Sequence, residues 1–151
     1  MRDFIKIKKL LLDACFDFVF QKEKVVLQTI ASNKNDLFSE TKSSAGDKHE
    51  TGRAMIQLEM EKASQQLVEI HQMKEVLNKV VLENTTTIIK LGSLIITSKG
   101  TYFLAISVGQ VKLEEETYFV VSTNSPIGSQ LLGNKVGSVL PFNGAEILEI
   151  C

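Results

Sequence analysis

The chain has 151 residues, enough for one compact domain or two small ones, and its 44% hydrophobic and 23% charged residues match a folded soluble protein rather than a disordered one. A formal net charge of -1 argues against independent DNA binding, which needs a basic face to neutralise phosphates. The two cysteines, Cys15 and Cys151, form no CxxC pair, and His49 and His71 have no ligand-like spacing to them. That pattern excludes a zinc site and a disulfide framework and suits a reducing cytoplasm.

The opening MRDFIKIKKLLLDACFDFVF is interrupted by Asp13 and Asp17 and is followed by no small-residue cleavage site. It reads as an amphipathic helix rather than a signal peptide. No run approaches the roughly 18 apolar residues that span a bilayer, so no membrane association is expected. Residues 6–31 predict a helix: Leu12, Cys15, Val19, Val26 and Ile30 recur at helical spacing, Lys22 fills the gap, and neither Gly nor Pro intervenes. Its apolar face is wide and Phe-rich, which lets its lower end touch the second half of the chain as well. Cys15 reads as a small buried apolar residue. Residues 32–46, SNKNDLFSETKSSAG, carry turn chemistry.

A second helix is expected from about His49 to Val81. Ile56, Met60, Ala63, Leu67, Ile70, Leu77 and Val81 form a heptad seam, with Lys74 at the one polar position. Such a helix is about 45 Å long at 1.5 Å per residue. Neither helix is stable alone with a single apolar stripe, and the simplest remedy is to pack the two as an antiparallel coiled-coil hairpin. LENTTT, Leu82 to Thr87, breaks the helical pattern. LGSLIIT, TYFLAISV and TYFVVS then read as strands, with Lys99-Gly100 as a hairpin turn. In NSPIGSQLLGNKVG, Ser125 is a cap, Pro126 suits the first helical position, Leu131 and Leu132 face the sheet, and Gly133 ends the helix in a left-handed conformation. Asn143-Gly144 sits between two apolar runs and signals a last hairpin. The fold class is therefore α+β: a helical hairpin over 1–82 with its tip at about 36–50, a linker over 83–87, and a β-rich domain over 88–151 with one short helix.

NSPIGSQLLGNKVGSV resembles the C-terminal motif of the Gre family of bacterial transcript-cleavage and elongation factors: Ser-Pro-Ile, an apolar helix, then Leu-Gly-x-x-Val-Gly and a return strand. GDKHE, Gly46 to Glu50, falls where that family carries Gly-Asp-x-x-Glu at its hairpin tip. Chain length and domain order agree with the family. The resemblance implies an FKBP-like C-terminal domain that binds bacterial RNA polymerase, with Ser125, Pro126, Ile127, Leu131, Leu132 and Gly133 as the motif region. It also implies a hairpin inserted into the secondary channel. Asp47 and Glu50 would there assist cleavage of backtracked nascent RNA by the polymerase itself, sharing a Mg²⁺ held only in the complex. The chain is then an accessory factor, not an enzyme. Mg²⁺ prefers oxygen ligands and is often held by one or two carboxylates plus phosphate, and residues three apart on a helix share a face.

Other readings stand beside this one. Asp at a helix N-cap with Glu three residues on is also a capping box. The tip departs from the family: Lys48 and His49 stand between the acids, and Thr51, Gly52 and Arg53 follow. From Asp36 to Arg53 there are four acids and three bases, a weakly acidic tip. Glu40 reads as a solvated loop acid. A non-cleaving secondary-channel regulator of the Rnk type, or a plain coiled-coil interaction protein, is compatible with the same helices. A prolyl isomerase would have no Trp, few aromatics and little chain from which to build a proline pocket, and an acyl-transfer enzyme lacks a nucleophile with a placed base.

Overall fold

The computed structural model describes residues 3–42, 46–83 and 87–151, with side chains described outside 39–50. Helix α1 runs unbroken from Phe4 to Lys42. The turn expected over 32–46 is therefore helical as far as Lys42, and 43–45 lie outside the described residues. The reason is burial. Asn33 is buried and Leu37 half-buried, so the stripe of Val26 and Ile30 continues at spacings of three and four. Ser and Asn disfavour helix only weakly, and packing overrides them. Within the stripe Lys22 is exposed and the half-buried position beside it is Glu23.

Helix α2 runs from Gly46 to Asn78, starting and stopping three residues before the expected span. Its final turn tightens, with Lys79 N–H on Val76 O at 3.0 Å and Val80 N–H on Leu77 O at 3.2 Å. Bonds to the third preceding carbonyl satisfy the orphan acceptors of a helix end. Val81, expected in the seam, lies past this turn and is 55% exposed. The rest of the seam holds: Ala63, Ile70 and Leu77 are buried, and Ile56, Met60, Leu67 and Lys74 are half-buried.

The chain divides into two compact units, one of residues 1–18 with 74–151 and one of residues 19–73. Among its described residues, the 19–73 unit is helical throughout. Among its described side chains, Val19, Val26 and Asn33 on α1 and Ala63 and Ile70 on α2 are the buried ones, each set at a seven-residue repeat. A seven-residue repeat keeps one side of a helix facing the same partner over many turns.

The other unit holds a five-stranded mixed sheet. Its strands are β1 (Leu94–Thr97), β2 (Gly100–Ala105), β3 (Gly109–Leu113), β4 (Glu116–Ser122) and β5 (Ile147–Ile150), in the order β3-β4-β2-β1-β5. Only β2 and β4 pair in parallel. β1 and β2 form the expected hairpin, with Thr97 opposite Gly100, so that Ser98-Lys99 is the loop and Gly100 opens the second strand. GQVKL was not among the expected strands. Its residues are exposed apart from half-buried Val111 and Leu113, too little apolar surface for a pattern. It forms an edge because β4 offers an open ladder, closed by the pair Leu113 and Glu116. Strand β4 lies between β2 and β3, so 106–108 must cross its end. Four residue steps reach about 13 Å, enough for two strand spacings of about 4.8 Å each.

Both faces of the sheet are covered. Tyr102 and Leu104 join Ile89, Ile95, Leu140 and Ile147 and, from helix α3 (Pro126–Leu131), Leu131 in one apolar cluster. Phe103 and Ala105 point to the opposite side by strand alternation and are also buried. In the same unit Leu11 and Cys15 of α1 are fully buried, and the Ile106 main chain hydrogen-bonds the Cys15 thiol. Burial pushes that thiol up to about 12, as expected for a cysteine serving as a small apolar residue. Among the described residues no helix is long and apolar enough to cross a membrane.

Candidate functional site

The motif region begins where β4 ends. Ser125 has extended dihedrals (φ -70, ψ 157), and its Oγ accepts from Gly128 N–H at 3.0 Å. The same hydroxyl donates to Ser122 O at 2.7 Å, so one side chain both caps α3 and anchors it to the strand before it. Pro126 occupies the first turn, where no N–H is needed. Ile127 is half-buried against the apolar cluster and Leu131 is fully buried in it. Gly133 takes φ +83, the left-handed conformation expected of it.

Leu132 corrects the expectation that both leucines face the sheet: it is 47% exposed. Leu132 lies past the end of α3 as its C-cap, with non-helical dihedrals (φ -56, ψ 127), so it leaves the helix face that buries Leu131. Beyond it Val136, Val139 and Phe142 are also exposed. The Gln130 side chain accepts from Phe142 N–H at 3.3 Å and so ties this exposed stretch to α3. Gly133 N–H bonds Ile89 O and Ile89 N–H bonds Asn134 O, both at 2.9 Å, which stitch the motif to the segment after α2. Asn143-Gly144 makes the expected turn: Gly144 has φ +70, Leu140 N–H bonds Ala145 O at 2.8 Å, and Val139 bridges Glu146.

Two residues of this unit escaped the sequence reading. Gly128 is one: a methyl there would lie 1.7 Å from Ser122 O. Lys8 is the other. It is 1% exposed, and its Nζ donates to Leu82 O at 2.5 Å and Cys151 O at 3.1 Å. Burial lowers its amine to about 8, with Lys90 pushing the same way and Cys151 opposing. Its signal was present in the spacing, since Lys8, Leu11, Cys15 and Val19 share one stripe.

The tip acids fall at the start of α2. The helix begins at Gly46, which places the Asp47 and Glu50 backbones in its opening residues. Their side chains, with that of Glu40, lie outside the described residues. Among the described residues no group of three His, Cys, Asp or Glu is arranged to hold a metal. An open cleft of about 610 Å³ near the start of α1 is lined by apolar Ile7, Leu10 and Leu113 and by charged residues of both signs, among them Asp3, Lys6 and Glu114. No protein-family profile and no curated protein matches the chain.

Proposed function

We propose that this chain is a Gre-family-like elongation factor of the bacterial cytoplasm that binds RNA polymerase and acts through its secondary channel. The observation that carries the proposal is the Ser125–Gly133 geometry: a serine cap anchored to β4, proline in the first turn, a buried leucine and a left-handed glycine. Each element gives a physical role to a residue of the motif by which the chain resembles that family. In this reading the sheet unit is FKBP-like and docks on polymerase near α3. Exposed Leu132, Val136, Val139 and Phe142 supply apolar contact surface there.

The two long helices, joined across residues 43–45, form the antiparallel coiled-coil hairpin, for which the seven-residue burial repeat is the support. Asp47 and Glu50, three apart in the opening of α2, share a helix face. Carboxylate oxygens suit Mg²⁺, but two alone hold it poorly, so polymerase acids and RNA phosphate would have to complete the shell. Held by Asp47 and Glu50 together with polymerase groups, such an ion would supply positive charge to the phosphodiester under attack. The chain's own part is to carry two carboxylates to that place.

A second reading, a non-cleaving occupant of the same channel, is favoured by the basic residues at the tip. Lys48 stands between the acids and Arg53 follows them, and both compete with a cation for the carboxylates. A backtracked polymerase complex incubated with Mg²⁺ and this protein separates the two. Shortened RNA that disappears with Asp47→Ala and Glu50→Ala supports cleavage. Competition with an authentic cleavage factor, without shortened RNA, supports occupancy alone. Absence of polymerase binding refutes both.

A further inference from the structure

In the 19–73 unit the buried seam is not uniform. On α1 it reads Val19, Val26, Asn33, and Asn33 is 4% exposed with no hydrogen-bond partner for its Nδ2. An amide kept from water without an acceptor destabilises the state that buries it. Burial weakens toward the end where the helices are joined in one register of the α2 seam: Ile70 and Ala63 are buried, whereas Ile56, the next position of that seven-residue repeat, is only half-buried. A third feature lies in the same stretch. Gly52 stands inside α2, where glycine is the poorest helix former after proline. These three features fall at one end of the unit, whose other end holds buried Val19, Val26 and Ile70.

We infer that Asn33 marks the boundary of a separately opening segment. The described residues 34–38 of α1 and 51–60 of α2 open together as a local unit, while 19–30 and 63–73 stay closed. Local opening of this kind draws on few buried apolar contacts and unsatisfied polar groups, both present here. The inference does not depend on the polymerase reading, since it concerns only the stability of the seam.

Hydrogen exchange on the full chain at neutral pH, read by mass spectrometry, tests it. Amides of 34–38 and 51–60 are expected to exchange at least about tenfold faster than those of 63–73. Asn33→Leu removes the buried amide and is expected to slow the first set about tenfold, leaving 63–73 within about twofold. Gly52→Ala, which does not touch the seam asparagine, is expected to slow the same first set by a few fold. Equal rates along both helices in the unaltered protein overturn the inference. So does a uniform slowing of all amides in both variants, because the unit then opens as a whole.

Discussion

Gly128→Ala adds one methyl group at a place with no room. The new carbon would sit 1.7 Å from Ser122 O, 2.7 Å from the Ser122 carbonyl carbon and 2.8 Å from Ser125 Oγ. These are main-chain and capping atoms, not the far end of a flexible side chain. Ser122 O already accepts from Ser125 at 2.7 Å through Oγ and at 3.2 Å through N–H. To relieve the contact, the first turn of α3 must swing off the end of β4. That loses the cap, about 1 kcal/mol, and the anchoring hydroxyl bond, about 1 kcal/mol. Overpacking strain adds about 1–3 kcal/mol. Alanine's better helix propensity returns about 1 kcal/mol. The net loss is about 2–4 kcal/mol, while Ser125→Ala, which removes the cap without a clash, costs about 1–2 kcal/mol. Urea unfolding followed by tyrosine fluorescence measures both variants. The chain has only two tyrosines, Tyr102 and Tyr118, and both belong to the sheet unit, so the signal reports on the unit that contains α3. At constant slope the loss appears as a lower midpoint. A Gly128→Ala protein within about 1 kcal/mol of the original, or no less stable than Ser125→Ala, refutes the reasoning.

Two further outcomes follow from single residues. Lys8 has an amine lowered from 10.5 to about 8, chiefly by burial, with Lys90 adding to the effect and Cys151 opposing it. The unfolded chain then binds more protons than the folded one above pH 8, so this group adds stability as pH rises from about 8 to 10.5, by about 3 kcal/mol in all, and that stability is lost again on the way down. The Cys15 and Cys151 thiols, raised by burial to about 12 and about 11, act in the opposite sense above pH 9. Chemical denaturation across pH 7 to 10.5 should therefore show Lys8→Met losing ground steadily against the original protein above pH 8. Parallel profiles would remove the buried cation from the account. Glu114 holds φ +56 in the β3–β4 turn, a conformation that costs a side-chain-bearing residue about 1 kcal/mol or more. Glu114→Gly is expected to raise the urea midpoint by the equivalent of about 0.5–1 kcal/mol, and an unchanged or lower midpoint contradicts the strain.

How much of this was legible beforehand varies by element. The α2 seam from Ile56 to Leu77, the β1–β2 hairpin, the Ser125 cap, Pro126 and Gly133 could be read because each rests on neighbours a few residues away. Periodicity, capping and left-handed turns are local chemistry. Asn33 and Leu37 show where local reading failed. The Ser- and Asn-rich composition of 32–46 reads as a turn, yet Asn33 and Leu37 within it continue the helical stripe. Strand β3 was missed because an edge strand need not be apolar; its partner β4 makes it a strand.

The sequence alone settled the α+β class and the positions of the heptad, the cap and the terminal glycine, since those follow from propensities and spacings along the chain. Only the tertiary structure decided that Lys8 is buried, that Gly128 has no space for a methyl group, and that Leu132 looks outward while Leu131 does not. Burial depends on what arrives from distant parts of the chain: Leu82 and Cys151 meet Lys8 across 74 and 143 residues. No pattern within one helix encodes such a meeting, and there packing rather than propensity sets the outcome.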